Sequence, residues 1–222
     1  MSRPLLLDLF CCEGGAATGY HRAGFDVIGV DIDPQPNYPF LFCQADVLTL
    51  TADDLAPYDA IHASPPCQSY STMSNRYGSK EPELIEQTRT LLIGSGLPYV
   101  IENVTGARSH MQSPMMVHGG QLGMSVYRPR LFESNIILTP APYAPVPKNP
   151  TAVYGRQPGN GRLLWTRRDG SQLRAATLSE AREAMGMPWA SWNGCREAIP
   201  PAYTEFIGRQ LLDQITTEQA AA

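Results

Sequence analysis

A chain of 222 residues, 43% hydrophobic and 17% charged, has room for one domain with a small appendage and is too apolar to be disordered. No apolar run reaches the roughly 18–20 residues that cross a bilayer, and the opening MSRPLLLDLF has too short an apolar stretch and no cleavage site for a secretion signal, so a cytoplasmic protein off the membrane is expected. The formal net charge of −4 excludes a simple nucleic-acid coat, yet Lys148, Arg156, Arg162, Arg167, Arg168 and Arg174 against Asp169 give residues 139–176 a formal +5, which leaves −9 elsewhere and marks one face for phosphate.

The first half alternates strand and helix signals. Pro4–Asp8 is a short apolar run that enters a glycine-containing turn, and residues 15–24 read as a helix closed by Gly24. Asp26–Val30 is β-rich and ends in Asp31 and Asp33. Asp59–Ala63 is a buried strand running straight into Pro65-Pro66. Residues 81–95 read as a helix and Pro98–Val104 as a strand. This spacing predicts a mostly parallel sheet with helices on both faces, and such α/β folds bind ligands at the carboxyl ends of their strands. Phe10 to Gly15, Asp31, Pro65 to Gln68 and Glu102 all fall there.

The second half is less regular. Arg130–Leu138 reads as extended, and the five prolines of residues 140–150 exclude a regular helix or a central strand. Leu163–Thr166 and Gln172–Leu173 flank an Asp169-Gly170 turn, a hairpin signal. Leu178–Met187 is a helix capped by Thr177 or Ser179, and Pro200–Ile215 a final helix before a frayed tail, residues 216–222. The domain reading is therefore 1–138 as the core, 139–176 as a small lobe and 177–222 as a segment returning to the core. Five cysteines, without CxxC or Cys/His spacing, argue against disulfides and zinc. Cys11 and Cys43 read as small core residues.

Four segments carry chemistry. The turn with Gly14 and Gly15 lets backbone approach a ligand, and Asp31, about twenty residues on, suits ribose hydroxyls. Cys67, in SPPCQSYS, is a thiol stiffened by two prolines, and a lowered pKa makes such a thiol a better nucleophile. Glu102, a carboxylate at a strand end next to an asparagine in IENV, could clamp a heterocycle. Arg128 and Arg130, in YRPRLFES, would share one face of a strand and one anion. Taken singly, each has a plainer reading: a structural turn, a solvated acid, a structural cysteine, a surface carboxylate or salt-bridged arginines.

Taken together and in order, the blocks LDLFCCEGGAATGYHRAGF, GVDIDP, QADV, SPPCQSYS, IENV, YRPRLFES, LSEAREAMGMPW and IPPAYTEFIGRQL resemble the DNA cytosine-5 methyltransferase family over nearly the whole chain. The resemblance implies a Rossmann-like methyltransferase fold that uses S-adenosylmethionine on double-stranded DNA. It makes Cys67 the covalent nucleophile, Glu102 the carboxyl that holds the cytosine edge, and Arg130 with Arg128 the residues that position base and thiolate. Phe10, Gly14 and Gly15 would line the methionine side of the cofactor. Asp31 would bind the ribose, Ile32 cover the adenine, Asp46 meet its amino group, and Pro66 close the pocket. Gln68, Ser69, Arg156, Arg162, Arg167 and Arg168 would contact DNA from a monomer, with the target base flipped out.

Two departures stand out. Cys12 occupies a position where the family usually has glycine, which predicts a less tight turn. Glu197 replaces an amide near the cofactor. The resemblance leaves three rivals: the same chemistry on transfer RNA, a silent partner of another methyltransferase, and transfer of a larger group from a modified cofactor. Small size suggests a phage-type or orphan methylase by analogy alone.

Overall fold

The computed structural model describes residues 2–67, 70, 83–155, 159, 163–166, 170, 172–174 and 176–221. A seven-stranded sheet organises the core. Strand β1 (Leu5–Leu9) lies at its centre, between β2 (Asp26–Asp31) and β4 (Ala60–Ala63), parallel to both. Strand β3 (Leu41–Gln44) extends the sheet beyond β2, and β5 (Tyr99–Val104) lies beyond β4, all parallel. Antiparallel β7 (Arg130–Ser134) and β6 (Met115–Val117) complete the order β3-β2-β1-β4-β5-β7-β6. The chain leaves β1 towards β2 on one side and later reaches β4 on the other, so a crevice opens at their carboxyl ends.

Both faces are covered, which is why the central strands read as unbroken apolar runs. On one face lie α1 (Gly15–Ala23) and the final helix α6 (Pro201–Ala221), packed over Leu6, Val27, Ala60 and Val100. Their backbones approach closely because Gly19 has no side chain: a Cβ there would sit 2.0 Å from Thr204 Oγ1. On the other face, α2 (Ala52–Leu55) and α3 (Ile85–Ser95) cover Leu7, Leu9, Ile61 and Ile101. Helix α3 is anchored by Arg89, whose guanidinium forks onto Glu133 of β7 with both side chains 2% exposed. A third cluster joins Val126 and Val153 to α4 (Leu178–Met185) and α5 (Trp192–Glu197). Strands β8 (Leu163–Thr166) and β9 (Gln172–Arg174) form a separate antiparallel pair.

Several boundaries differ from the sequence reading. Helix α3 begins at Ile85, while residues 81 and 82 lie outside the described residues. The segment read as extended over 130–138 stops pairing at Ser134, because the Asn135 side chain accepts from Tyr99 N and donates to Leu97 O. The tail continues α6: Ile215 is buried, and the Thr216 and Thr217 hydroxyls donate to carbonyls one turn back. Cys43 is exposed rather than core, because β3 is an edge strand, whereas Cys11 is buried. Thr177 is the α4 cap, in a reciprocal box with Glu180.

Candidate active site

The turn after β1 is held in unusual backbone. Phe10 and Cys12 both have positive φ, 59° and 45°, and Gly14 has φ 78°. A side chain other than glycine is strained at such a position, so Cys12 occupies the kind of site that favours glycine. The turn is nonetheless tight: Gly14 N donates to Cys11 O at 3.0 Å, and Cys12 N donates to Asp31 Oδ2 at 2.9 Å. The other Asp31 oxygen accepts from Asp33 N. Gly15 is required for a different reason. A Cβ there would lie 2.4 Å from Ile199 O, on the segment between α5 and α6 that closes over the turn.

A cleft of about 270 Å³ runs along these strand ends. Phe10, Gly15, Asp31, Ile32 and Pro66 line it together with Cys67, Glu102 and Arg130. Asp8, Cys12, Asp33, Ser64, Glu197 and Ile199 contribute as well. Gly14, Asp46 and Arg128 lie outside this lining. Gly14 packs against Tyr38 and Pro39, and the Asp46 carboxylate caps a short 3-10 turn by accepting from Leu48 N. Gln68, Ser69, Arg156, Arg162, Arg167 and Arg168 lie outside the described residues. Of the other lobe cations, Lys148 and Arg174 are exposed.

The Pro65-Pro66 loop is pinned by Asn103, whose Nδ2 donates to Pro65 O at 2.9 Å. Successive residues of a strand face opposite ways, so Asn103 holds the loop while Glu102 faces the cleft. Arg130 Nε stands 2.9 Å from Glu102 Oε1. Burial raises the Glu102 pKa, while Arg130, Arg128 and a hydrogen bond from Ser64 oppose the rise. Burial likewise pushes the Cys67 thiol up, with Glu102 adding to it and Arg130 and Arg128 pulling it down. The thiol of the free protein is therefore protonated near neutral pH, the opposite of a pre-lowered nucleophile.

Arg128 does not share the orientation of Arg130. Its fork donates to the backbone carbonyls of Ala198 and Arg196. Sequence reasoning passed over four further residues. Glu13 ties down the start of α5 by accepting from Ser191 N and Oγ. Asp8 is fully buried on β1, and neither of its oxygens has a hydrogen-bond partner among the described residues. Burial drives its pKa well up; the Ala17 amide opposes this and Asp31 adds to it. His62 and Tyr20 are also buried and bonded to each other. An acid or histidine inside an apolar run is the signal that marks Asp8 and His62.

The family model for C-5 cytosine-specific DNA methylases matches residues 5–117. The Type II methyltransferase M.XorII of Xanthomonas oryzae pv. oryzae is 30% identical over 125 residues, covering 48% of this chain and 29% of that protein. The chain spans less than half the length of the curated relatives it matches. Two solved structures share the fold over 96% of this chain and 99% of their own. One is encoded within an E. coli prophage and assigned as a DNA modification methyltransferase, with a TM-score of 0.69 at 18% identity; the other is the S. pombe Dnmt2 methyltransferase, at 0.61 and 14%.

Proposed function

The chain belongs to the C-5 cytosine-specific DNA methylase family, and on that premise we propose that it methylates carbon 5 of a flipped-out cytosine in duplex DNA through a covalent adduct at Cys67. The observation that carries the reading is one cleft shared by Cys67, Glu102 and Arg130 with Phe10, Gly15, Asp31, Ile32 and Pro66.

The cleft suits S-adenosylmethionine. Asp31, Asp33 and Glu197 line it with carboxyl groups suited to a ligand with cationic sulfonium and ammonium centres, and Asp8, whose burial favours the neutral form, adds a polar carboxyl without a partner among the described residues. Ile32, 61% exposed, Phe10 and Pro66 offer apolar surface to an adenine. Asp31, its carboxylate fixed by two backbone amides, is oriented to accept from ribose hydroxyls. Arg196 pairs with Glu197 and offsets the charge that replaces the family's amide. When bound, the cofactor supplies an electrophilic methyl group to carbon 5.

The protein's own residues prepare the base. Cys67 gives up its thiol proton to solvent, its Sγ bonds to carbon 6, and the electron pair of the 5,6 double bond passes to carbon 5. Glu102 holds ring nitrogen 3 and the amino group, which draws electrons from carbon 6. Giving Glu102 that partner removes part of the charge that pushes the Cys67 thiol up, so base binding and thiol activation are coupled. After methyl transfer, loss of the carbon 5 proton and breakage of the sulfur–carbon bond restore the ring. Residues 139–176, with their formal +5, read the DNA; most of their arginines contact phosphate, and a few read base edges over about two to four base pairs.

Expression in a methylation-free host followed by base-resolution mapping tests this. The reading expects 5-methylcytosine in one short motif. Methylated transfer RNA with unmodified DNA, or no methylation of either, contradicts it.

A further inference from the structure

Behind Glu102 the cleft wall is a line of three polar side chains. The Ser64 side chain, just past the end of β4, lines the same cleft as Glu102 and acts to lower the pKa of its carboxyl. Ser64 Oγ is 2.7 Å from His62 Nε2, and His62 Nδ1 is 3.0 Å from the Tyr20 hydroxyl on α1. His62 and Tyr20 are both 0% exposed. The line therefore crosses the sheet from the catalytic cleft into the core beneath α1.

Burial holds the His62 pKa down to about 3, so the ring is neutral across the working range. A neutral imidazole has one N–H, which forces opposite roles on its two nitrogens. The tautomer thus fixes the direction of the whole line. In one direction Tyr20 donates to Nδ1, Nε2–H donates to Ser64, and Ser64 donates to Glu102, and every buried hydrogen has an acceptor. In the other, the Tyr20 hydroxyl hydrogen is left with no acceptor among the described residues, since His62 is its sole hydrogen-bond partner there. A buried unmade hydrogen bond is costly, so the first direction prevails.

We propose that Tyr20, His62 and Ser64 form a positioning relay whose hydrogen bonds all point at Glu102, fixing its carboxyl in one orientation and keeping it an acceptor until a base is bound. The inference rests on the reading that Glu102 holds the cytosine edge. Arg130, at the start of β7, pairs with Glu102, Cys67 faces it from the loop after β4, and Arg128, turned towards residues 196–198, acts on it only through its charge. Asp8 is the β1 neighbour of His62 in the sheet register. Burial favours the neutral carboxyl, and the relay opposes it without adding a charge that would compete with the base. Reversing the line requires all three groups to turn together, so Tyr20 acts on Glu102 through two intermediaries.

The test is a carboxyl titration by NMR on the full chain labelled with carbon-13 at glutamate Cδ, with Glu102→Gln assigning the signal. Ser64→Ala and Tyr20→Phe should each raise the Glu102 midpoint by about 0.5–1 pH unit, the size of one hydrogen bond. Ser64→Thr, which keeps the hydroxyl, should return it to the parent value. Nitrogen-15 histidine spectra should give His62 as the Nε2–H tautomer. An unchanged midpoint in folded Ser64→Ala and Tyr20→Phe, or an Nδ1–H tautomer, overturns the relay. The titration needs neither DNA nor cofactor, so the relay can fail while methyl transfer stands. Full methyl transfer by Glu102→Gln would sink the parent reading instead.

Discussion

Replacing Arg128 by methionine separates a structural tether from a base-facing arginine. The methionine keeps most of the apolar stem and removes the fork, so the carbonyls of Ala198 and Arg196 lose their donors. Two charge-assisted bonds contribute about 3–6 kcal/mol together. Against that, burial in company with Arg130 pulls the Arg128 pKa from 12.5 down to about 9, a penalty on the charged form of roughly 5 kcal/mol that the variant escapes. A base with a depressed folded pKa carries that penalty at every pH below the folded value, so it is in force at neutral pH. The two terms nearly cancel, and global stability should change by no more than about 2 kcal/mol. The Arg128 backbone stays in place, because its carbonyl accepts from the Tyr203 hydroxyl at 2.9 Å. What is lost is the hold on residues 196–199, of which Glu197, Ala198 and Ile199 form one wall of the proposed cofactor cleft. Calorimetry should therefore show S-adenosylmethionine binding about tenfold weaker, or about 1.4 kcal/mol, with denaturant midpoints little moved. Arg130→Met should do the reverse: unchanged cofactor affinity and collapsed turnover. If Arg128→Met keeps full cofactor affinity and loses only turnover, the tether argument is refuted and Arg128 joins the base-facing residues.

Three further outcomes are expected. Asp31→Ala should weaken cofactor binding by about 1–3 kcal/mol, the scale of a hydrogen bond to a charged group, and unchanged calorimetric affinity would remove Asp31 from the cofactor site. Gly15→Ala should also weaken cofactor binding, because the added Cβ meets Ile199 O at 2.4 Å and must displace the closing segment; normal affinity would show that this segment moves freely. His62 has a folded pKa of about 3 against an ordinary 6.5, so its contribution to stability is complete above 6.5 and is lost as pH falls towards 3, at about 1.4 kcal/mol per pH unit within that window. Denaturation of the wild type and His62→Gln at pH 7 and 5 should show the difference between them change accordingly, and parallel pH dependences would contradict it.

The central parallel strands were legible because they are buried on both faces, so β1, β2, β4 and β5 read as apolar runs with acids or prolines at their ends. Strands β3 and β6 were not legible. They lie at the sheet edges, are short, and bury little, so they show neither an apolar run nor alternation. In the site, Cys67, Glu102 and Asp31 could be placed because strand ends position them. Arg128 was placed with Arg130 by their spacing of two, but that rule applies only within a strand. Arg128 precedes β7 and has φ 34°, which turns its side chain into the protein. Asp46 was placed by family pattern, and its carboxylate is engaged by a local amide. The Tyr20–His62–Ser64 line joins α1 to β4 across 42 residues of sequence, a distance over which no local pattern speaks.

The measurement closest to the central claim is covalent capture on duplex DNA containing 5-fluorocytosine within the mapped motif, in the presence of S-adenosylmethionine. Fluorine at carbon 5 cannot leave as the proton does, so the sulfur–carbon bond cannot be released. The account predicts a denaturation-resistant protein–DNA adduct attached at Cys67, and none with Cys67→Ser. Methyl transfer by Cys67→Ser, or an adduct attached at any other residue, would contradict it.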